Sequence, residues 1–262
     1  MRPQNMTISR IDDAPDASAL GLRSAQPPRL RQAGRRRPIS EKLVSLVAPQ
    51  SYAAEQYRAL RHIIERRRRD NGYHVIAVTS PCPGDGKTVT ALNLAGALAQ
   101  AADSRVLIID ADLRRPSVAE CLGLERPWSP GLSEAILDPD LELTAIVRLV
   151  EGFNLSVLPA GTPQAAPYEL LNSPRLEALV REARRHFDCV LIDTPPVVPF
   201  PDSRLLERLV DAFLLVIAAH RTPRKLVAEA LNLLDPGKIA GAVFNADDRS
   251  RPNEYGYYKS YR

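Results

Sequence analysis

At 262 residues, 45% hydrophobic and 25% charged, the chain can bury one sizeable core of roughly 180 to 200 residues with ragged ends. The formal net charge of +4 lies mostly in two arginine clusters, "RQAGRRRP" and "ERRRRD", which excludes a basic fold as a whole and leaves an acidic membrane surface, an acidic partner or nucleic acid open at this point. Cys82, Cys121 and Cys189 have no paired metal-ligand spacing, "MRPQNMTISR" lacks the apolar core of a signal peptide, and the best apolar run, "AFLLVIAA", is too short to cross a bilayer, so a cytosolic protein with reduced thiols is expected.

Residues 1–40 carry Pro, Arg, Ser, Gln and Ala without apolar periodicity and read as a disordered tail. From residue 41 the pattern turns helical. Ala54, Tyr57, Leu60, Ile63 and Ile64 are spaced to share one face of a helix over roughly 51–69. Six short apolar runs then alternate with helical stretches: "HVIAVTS", "RVLIID", "NLSVLPA", "DCVLID", "AFLLVIA" and "IAGAVFN". Near-continuous hydrophobicity predicts strands buried on both faces, hence an α/β fold with a mostly parallel sheet flanked by helices. Cys189 falls in one of these strands. The chain divides into a tail (1–40), a helical segment (41–70), a domain (71–248) and a polar tail (249–262) that holds four of the eight tyrosines, Tyr255, Tyr257, Tyr258 and Tyr261.

The strongest local signal is "HVIAVTSPCPGDGKTVTALNLAGALAQ", a strand, a tight turn ending in Gly-Lys-Thr, and a helix. In a phosphate-binding loop, backbone N–H groups and a helix N-terminus surround the phosphate oxygens while a lysine reaches the β and γ phosphates. Gly84, Asp85, Gly86, Lys87, Thr88 and Val89 fit those positions. Pro81 stands where the usual pattern has its first glycine, and Pro81 and Pro83 have no N–H, so the cradle is expected from Gly84 through Val89. A divalent cation needs the Thr88 hydroxyl and a strand-end carboxylate. "RVLIIDADLRRP" places Asp110 and Asp112 just past one strand, and "DCVLIDTPPV" places Asp193 past another. Ligands of open α/β sheets collect at the carboxyl ends of strands, so all three carboxylates can meet Lys87 and Thr88 in one crevice.

"PGDGKT", "VLIIDADLRRP" and "FDCVLIDTPPV", in that order, resemble the Walker A, Walker A′ and Walker B motifs of the bacterial tyrosine kinases, autokinases that regulate capsular and exopolysaccharide export. The similarity runs over roughly 50–262 and takes in "PAGTPQAAPYELLNSPRLEALV" and "GAVFN", whose Asn245 corresponds to the residue beside the adenine. It implies a P-loop NTPase fold, ATP and Mg²⁺ as cofactors, a metal held at Thr88, Asp110 and Asp193, and a catalytic set of Lys87, Asp110, Asp112 and Asp193 with Asp110 as base. "EQYRALR" matches the family's E-x-x-R-x-x-R helix at Glu55, Arg58 and Arg61, associated with subunit contacts in a homo-oligomeric ring, an octamer by the same resemblance. The tyrosine tail sits where the family carries its phosphoacceptors. The implied partners are a membrane chain-length-determinant (polysaccharide co-polymerase) protein that recruits the kinase to the inner face of the plasma membrane, and a tyrosine phosphatase. No nucleic acid is expected. The chain carries no transmembrane segments and so resembles the separate, unfused form.

Two rivals remain. Partition and positioning ATPases of the ParA and MinD type share the fold but require a lysine at position 82, where this chain has Cys82. A degenerate ATPase acting only as an export scaffold is the other, against which intact Lys87, Asp110, Asp112 and Asp193 argue. The tail is too polar and irregular for a strand or an apolar helix face and reads as a tether. Arg66 to Arg69 fit either a solvated helix end over a favourable dipole or docking to anionic lipid or a membrane partner.

Overall fold

The computed structural model describes residues 30–34, 37–101 and 103–247. Most of the 1–40 tail and the four-tyrosine cluster lie outside the described residues. In chain order the elements are β1 (Arg31–Ala33), α1 (Val44–Val47), α2 (Tyr52–Asn71), β2 (Val75–Thr79), α3 (Lys87–Leu98), β3 (Val106–Asp110), α4 (Val118–Cys121), α5 (Leu132–Leu137), α6 (Leu143–Ile146), β4 (Arg148–Val150), β5 (Leu155–Leu158), α7 (Pro167–Leu171), α8 (Pro174–His186), β6 (Cys189–Asp193), α9 (Asp202–Leu205), β7 (Ala212–Ala218), α10 (Arg224–Leu233) and β8 (Ile239–Asn245).

Among the described residues the strands form one eight-stranded sheet in the order β1-β4-β5-β3-β6-β2-β7-β8. The strands from β5 to β8 run parallel to one another, whereas β4 lies antiparallel to β5 and β1 parallel to β4. Successive residues of each buried strand feed opposite faces. Val75, Ala77, Leu107, Ile109, Val190 and Ile192 pack with α5, α6, α8 and α10 on one side. Ile76, Val78, Val106, Ile108, Cys189 and Leu191 pack with α2 and α3 on the other. This two-sided burial is why the runs read as continuous rather than alternating apolar sequence. Cys189 is fully buried and its thiol is pushed up to about 11 by that burial.

α2 begins at Ser51, whose side chain accepts from the Ala54 N–H at 3.2 Å, and ends at Gly72 with φ of 70°. Its buried stripe includes Ala54 and Ile64, with Leu60 packed against it. Ile63 does not join them. It is 53% exposed, because nine residues at 100° per residue put it on the opposite side of the helix from Ala54.

Three expectations change. Residues 30–40 are not all tail: β1 pairs with β4, and Ser40 donates to the Cys121 carbonyl at 2.9 Å. Two three-residue strands, β1 and β4, carry too little apolar sequence to be recognised. β8 is not buried on both faces, since it is the edge strand and leaves Phe244 70% exposed.

Candidate active site

Strand order builds the site. β6 lies between β3 and β2, and Asp110 is the direct cross-strand partner of Asp193. Val78, two residues before the P-loop, is also level with Asp193. Both aspartates end their strands beside the loop that launches α3, the C-terminal edge where open parallel sheets collect ligands.

In that loop Gly84 and Gly86 have φ of +83° and +94°, values that glycine adopts without the Cβ clash. Gly86 caps α3, and Lys87 opens it. No amide from Gly84 to Val89 donates to a backbone carbonyl among the described residues, so the turn and the first turn of the helix leave their N–H groups free for an anion. Asp85 is buried. Its carboxylate accepts from the Cys82 N–H at 2.9 Å and from the Thr222 hydroxyl at 2.8 Å, and its carbonyl accepts from Asn245 Nδ2 at 2.9 Å. Asn245, at the end of β8, therefore holds the loop itself.

Lys87 Nζ donates to Asp112 Oδ2 at 2.8 Å and lies 3.8 Å from Asp193 Oδ1. Burial works against its charge, but Asp193 and Asp112 outweigh that and hold the ammonium above the ordinary lysine value. The Thr88 hydroxyl donates to Asp193 Oδ2 at 2.7 Å. Asp110 Oδ2 accepts the N–H groups of Ser117 at 3.1 Å and Val118 at 3.0 Å. Ser117 Oγ in turn donates to Thr88 Oγ1 at 3.2 Å. Burial, reinforced by Asp193, raises Asp110 well above the usual carboxylate range, and burial pushes Asp193 up to about 6.

Asp110 Oδ1 and Asp193 Oδ1 are buried oxygens without a hydrogen-bond donor among the described residues. Two such oxygens beside a threonine hydroxyl fit a hard divalent cation. Among the described residues no group of three or more His, Cys, Asp or Glu is placed to hold a metal ion.

Sequence reading missed four contributors. Ser117 lies in the Asp110 loop and was legible as a hydroxyl close in sequence. Thr222, 137 residues from Asp85, left no local signal. Arg114 and Asp202 form a two-pronged ion pair at 2.6 and 3.2 Å with Asp202 fully buried, and Arg114 also lies 4.6 Å from the Phe200 ring centroid.

Glu55, Arg58 and Arg61 stand away from this site on α2. Arg58 pairs with Glu55 and donates to the Pro49 carbonyl at 2.6 Å. Arg61 pairs with Glu65 at 2.7 Å and donates to the Ala97 carbonyl of α3 at 2.9 Å. Both arginines thus have partners within the chain.

The AAA domain family matches residues 73–217. The tyrosine-protein kinase YwqD of Bacillus subtilis is 35% identical over 84% of this chain and 92% of its own length. The succinoglycan biosynthesis transport protein ExoP of Rhizobium meliloti is 32% identical, but the match spans 82% of this chain and only 27% of that protein. Among solved structures, the kinase domain of the Escherichia coli tyrosine kinase ETK superposes with a TM-score of 0.76 at 30% identity, covering 86% of each chain. Position 82 is a cysteine whose amide donates to the Asp85 carboxylate at 2.9 Å. The P-loop, the paired strand-end aspartates and this near full-length identity lead to one conclusion: the chain belongs to the bacterial tyrosine-protein kinases.

Proposed function

We propose that the chain transfers the γ-phosphoryl group of ATP to its own C-terminal tyrosines, Tyr255, Tyr257, Tyr258 and Tyr261, in trans within a homo-oligomeric ring. The convergence of Lys87, Thr88, Asp110, Asp112 and Asp193 at one strand edge, with two buried carboxylate oxygens that accept no hydrogen bond among the described residues, carries the reading. Thr88, Asp110 and Asp193 would hold Mg²⁺, which neutralises developing phosphate charge when bound. Lys87 supplies a fixed cation to the transferring group. Asp110, which burial and Asp193 hold above the usual carboxylate range, takes the phenolic proton; the tyrosine oxygen bonds to γ-phosphorus, the β–γ bridging P–O bond breaks, and ADP leaves. Asn245 would border the adenine while holding Asp85.

The name of the relative ExoP, a succinoglycan biosynthesis transport protein, supports a role in exopolysaccharide biosynthesis. The proposal is completed by a membrane co-polymerase partner that recruits the kinase to the inner face of the plasma membrane and a tyrosine phosphatase that resets it. Among the described residues no helix is long and apolar enough to cross a membrane. The test is incubation of the purified protein with ATP and Mg²⁺ followed by phosphosite mapping by mass spectrometry. Phosphate on the four tail tyrosines is expected; ATP hydrolysis without phosphotyrosine would overturn the reading.

A further inference from the structure

The phosphate loop is short of positive groups. Pro81 and Pro83 offer no N–H, and Asp85 brings a buried carboxylate into the loop that forms no ion pair among the described residues. Lys87 is already committed to Asp112 and Asp193. A nucleotide's phosphate chain would therefore enter a crevice where carboxylates outnumber cations.

The turn after β7 lies against this loop. Thr222 donates to Asp85 and accepts from the Ala218 N–H at 3.0 Å, while the amides of Arg221 and Thr222 donate to the Ala218 carbonyl at 3.2 and 3.0 Å. These four hydrogen bonds among Ala218, Arg221, Thr222 and Asp85 hold the Arg221 backbone beside the loop. Its side chain is exposed and makes no ion pair among the described residues. A Cβ built on Gly84 would lie 3.9 Å from Arg221 Nη2, so the guanidinium borders the loop where it has no side chain.

We infer that Arg221 is a phosphate-binding residue of the nucleotide site, its guanidinium supplying the donors that Pro81 and Pro83 lack and offsetting the charge of Asp85. Guanidinium is suited to this task, because its planar fork donates two parallel hydrogen bonds to phosphate oxygens. The inference rests on the kinase reading for its ligand but is tested by binding, not by transfer.

Calorimetric titration of the full chain with ATP, ADP and adenosine, each in Mg²⁺ buffer, separates the contacts. Arg221→Ala should weaken ATP and ADP about ten-fold or more and leave adenosine unchanged, with Arg221→Lys recovering part of the loss. Equal loss for all three ligands would place Arg221 on the adenosine moiety and overturn the inference, as would unchanged ATP affinity. A wild-type protein that binds ATP with this dependence yet labels no tyrosine would sink the kinase reading and leave the Arg221 assignment standing.

Discussion

Asp193 carries opposite demands on stability and activity. Asp193 is held at about 6 against an ordinary value near 3.8, so the folded protein binds its proton more tightly than the unfolded chain does. Stability therefore falls as pH rises from about 4 to about 6, and at neutral pH the buried charge costs on the order of 3 kcal/mol. Asp193→Asn should accordingly raise the denaturation midpoint of the nucleotide-free protein at pH 7 and change it little at pH 4, while abolishing phosphorylation. Equal midpoints for variant and wild type at pH 7 would show that Lys87 and Thr88 already offset the charge. Lys87→Met should lower ATP-dependent tyrosine labelling at least 100-fold through loss of the cation aimed at the transferring phosphate. Asp140→Asn, in an exposed turn, should leave labelling intact.

Loops at the sheet edge are tied to one another by a few buried polar contacts. The Arg114–Asp202 pair joins the segment after β3 to the start of α9, so each holds the loop of one strand-end aspartate relative to the other. Arg114→Ala leaves Asp202 buried and uncompensated and should cost about 3 kcal/mol in urea unfolding, with kcat falling more than the KM for ATP rises. Proportionate changes in kcat and KM would indicate a purely structural role. Gly86→Ala meets two obstacles at once: a positive φ that favours glycine, and a Cβ only 2.0 Å from Asn245 Nδ2. Displacing Asn245 frees the Asp85 carbonyl, so the variant should lose ATP binding even where circular dichroism shows the fold retained.

At the scale of the molecule, α2 and the tail are the elements that would couple one copy to another. Arg58 and Arg61 also bind α2 to the Pro49 and Ala97 carbonyls, so the triple variant Glu55→Ala, Arg58→Ala, Arg61→Ala should lower both assembly and melting temperature. Glu55→Ala alone leaves those two carbonyl contacts in place. A drop in mass by light scattering at unchanged melting temperature would then isolate the interface role. On the proposed docking of the tail in a neighbour's site, phosphorylation would add about −1.5 to −2 charge per tyrosine beside the site's carboxylates, so the ATP-treated protein should be the smaller assembly. Replacing the four tail tyrosines by Phe should remove most labelling and hold the large form; an assembly size indifferent to phosphorylation would show that the tail is not the switch.

Sequence by itself determined the layered α/β class, the six strands β2, β3 and β5 to β8 and the Gly-Lys-Thr turn, because near-continuous apolar runs and the needs of a phosphate loop are written in consecutive residues. It also nominated Asp110, Asp112 and Asp193, each at a strand end. Only the tertiary structure decided which of these carboxylates touch Lys87 or Thr88, since strand order, and not chain order, sets β6 between β3 and β2. The edge position of β8, the short strands β1 and β4, and the Asp85–Thr222 and Arg114–Asp202 contacts were hidden for the same reason. They depend on partners scores of residues away, brought together by burial of the two cores, and a linear pattern carries no record of who will lie beside whom.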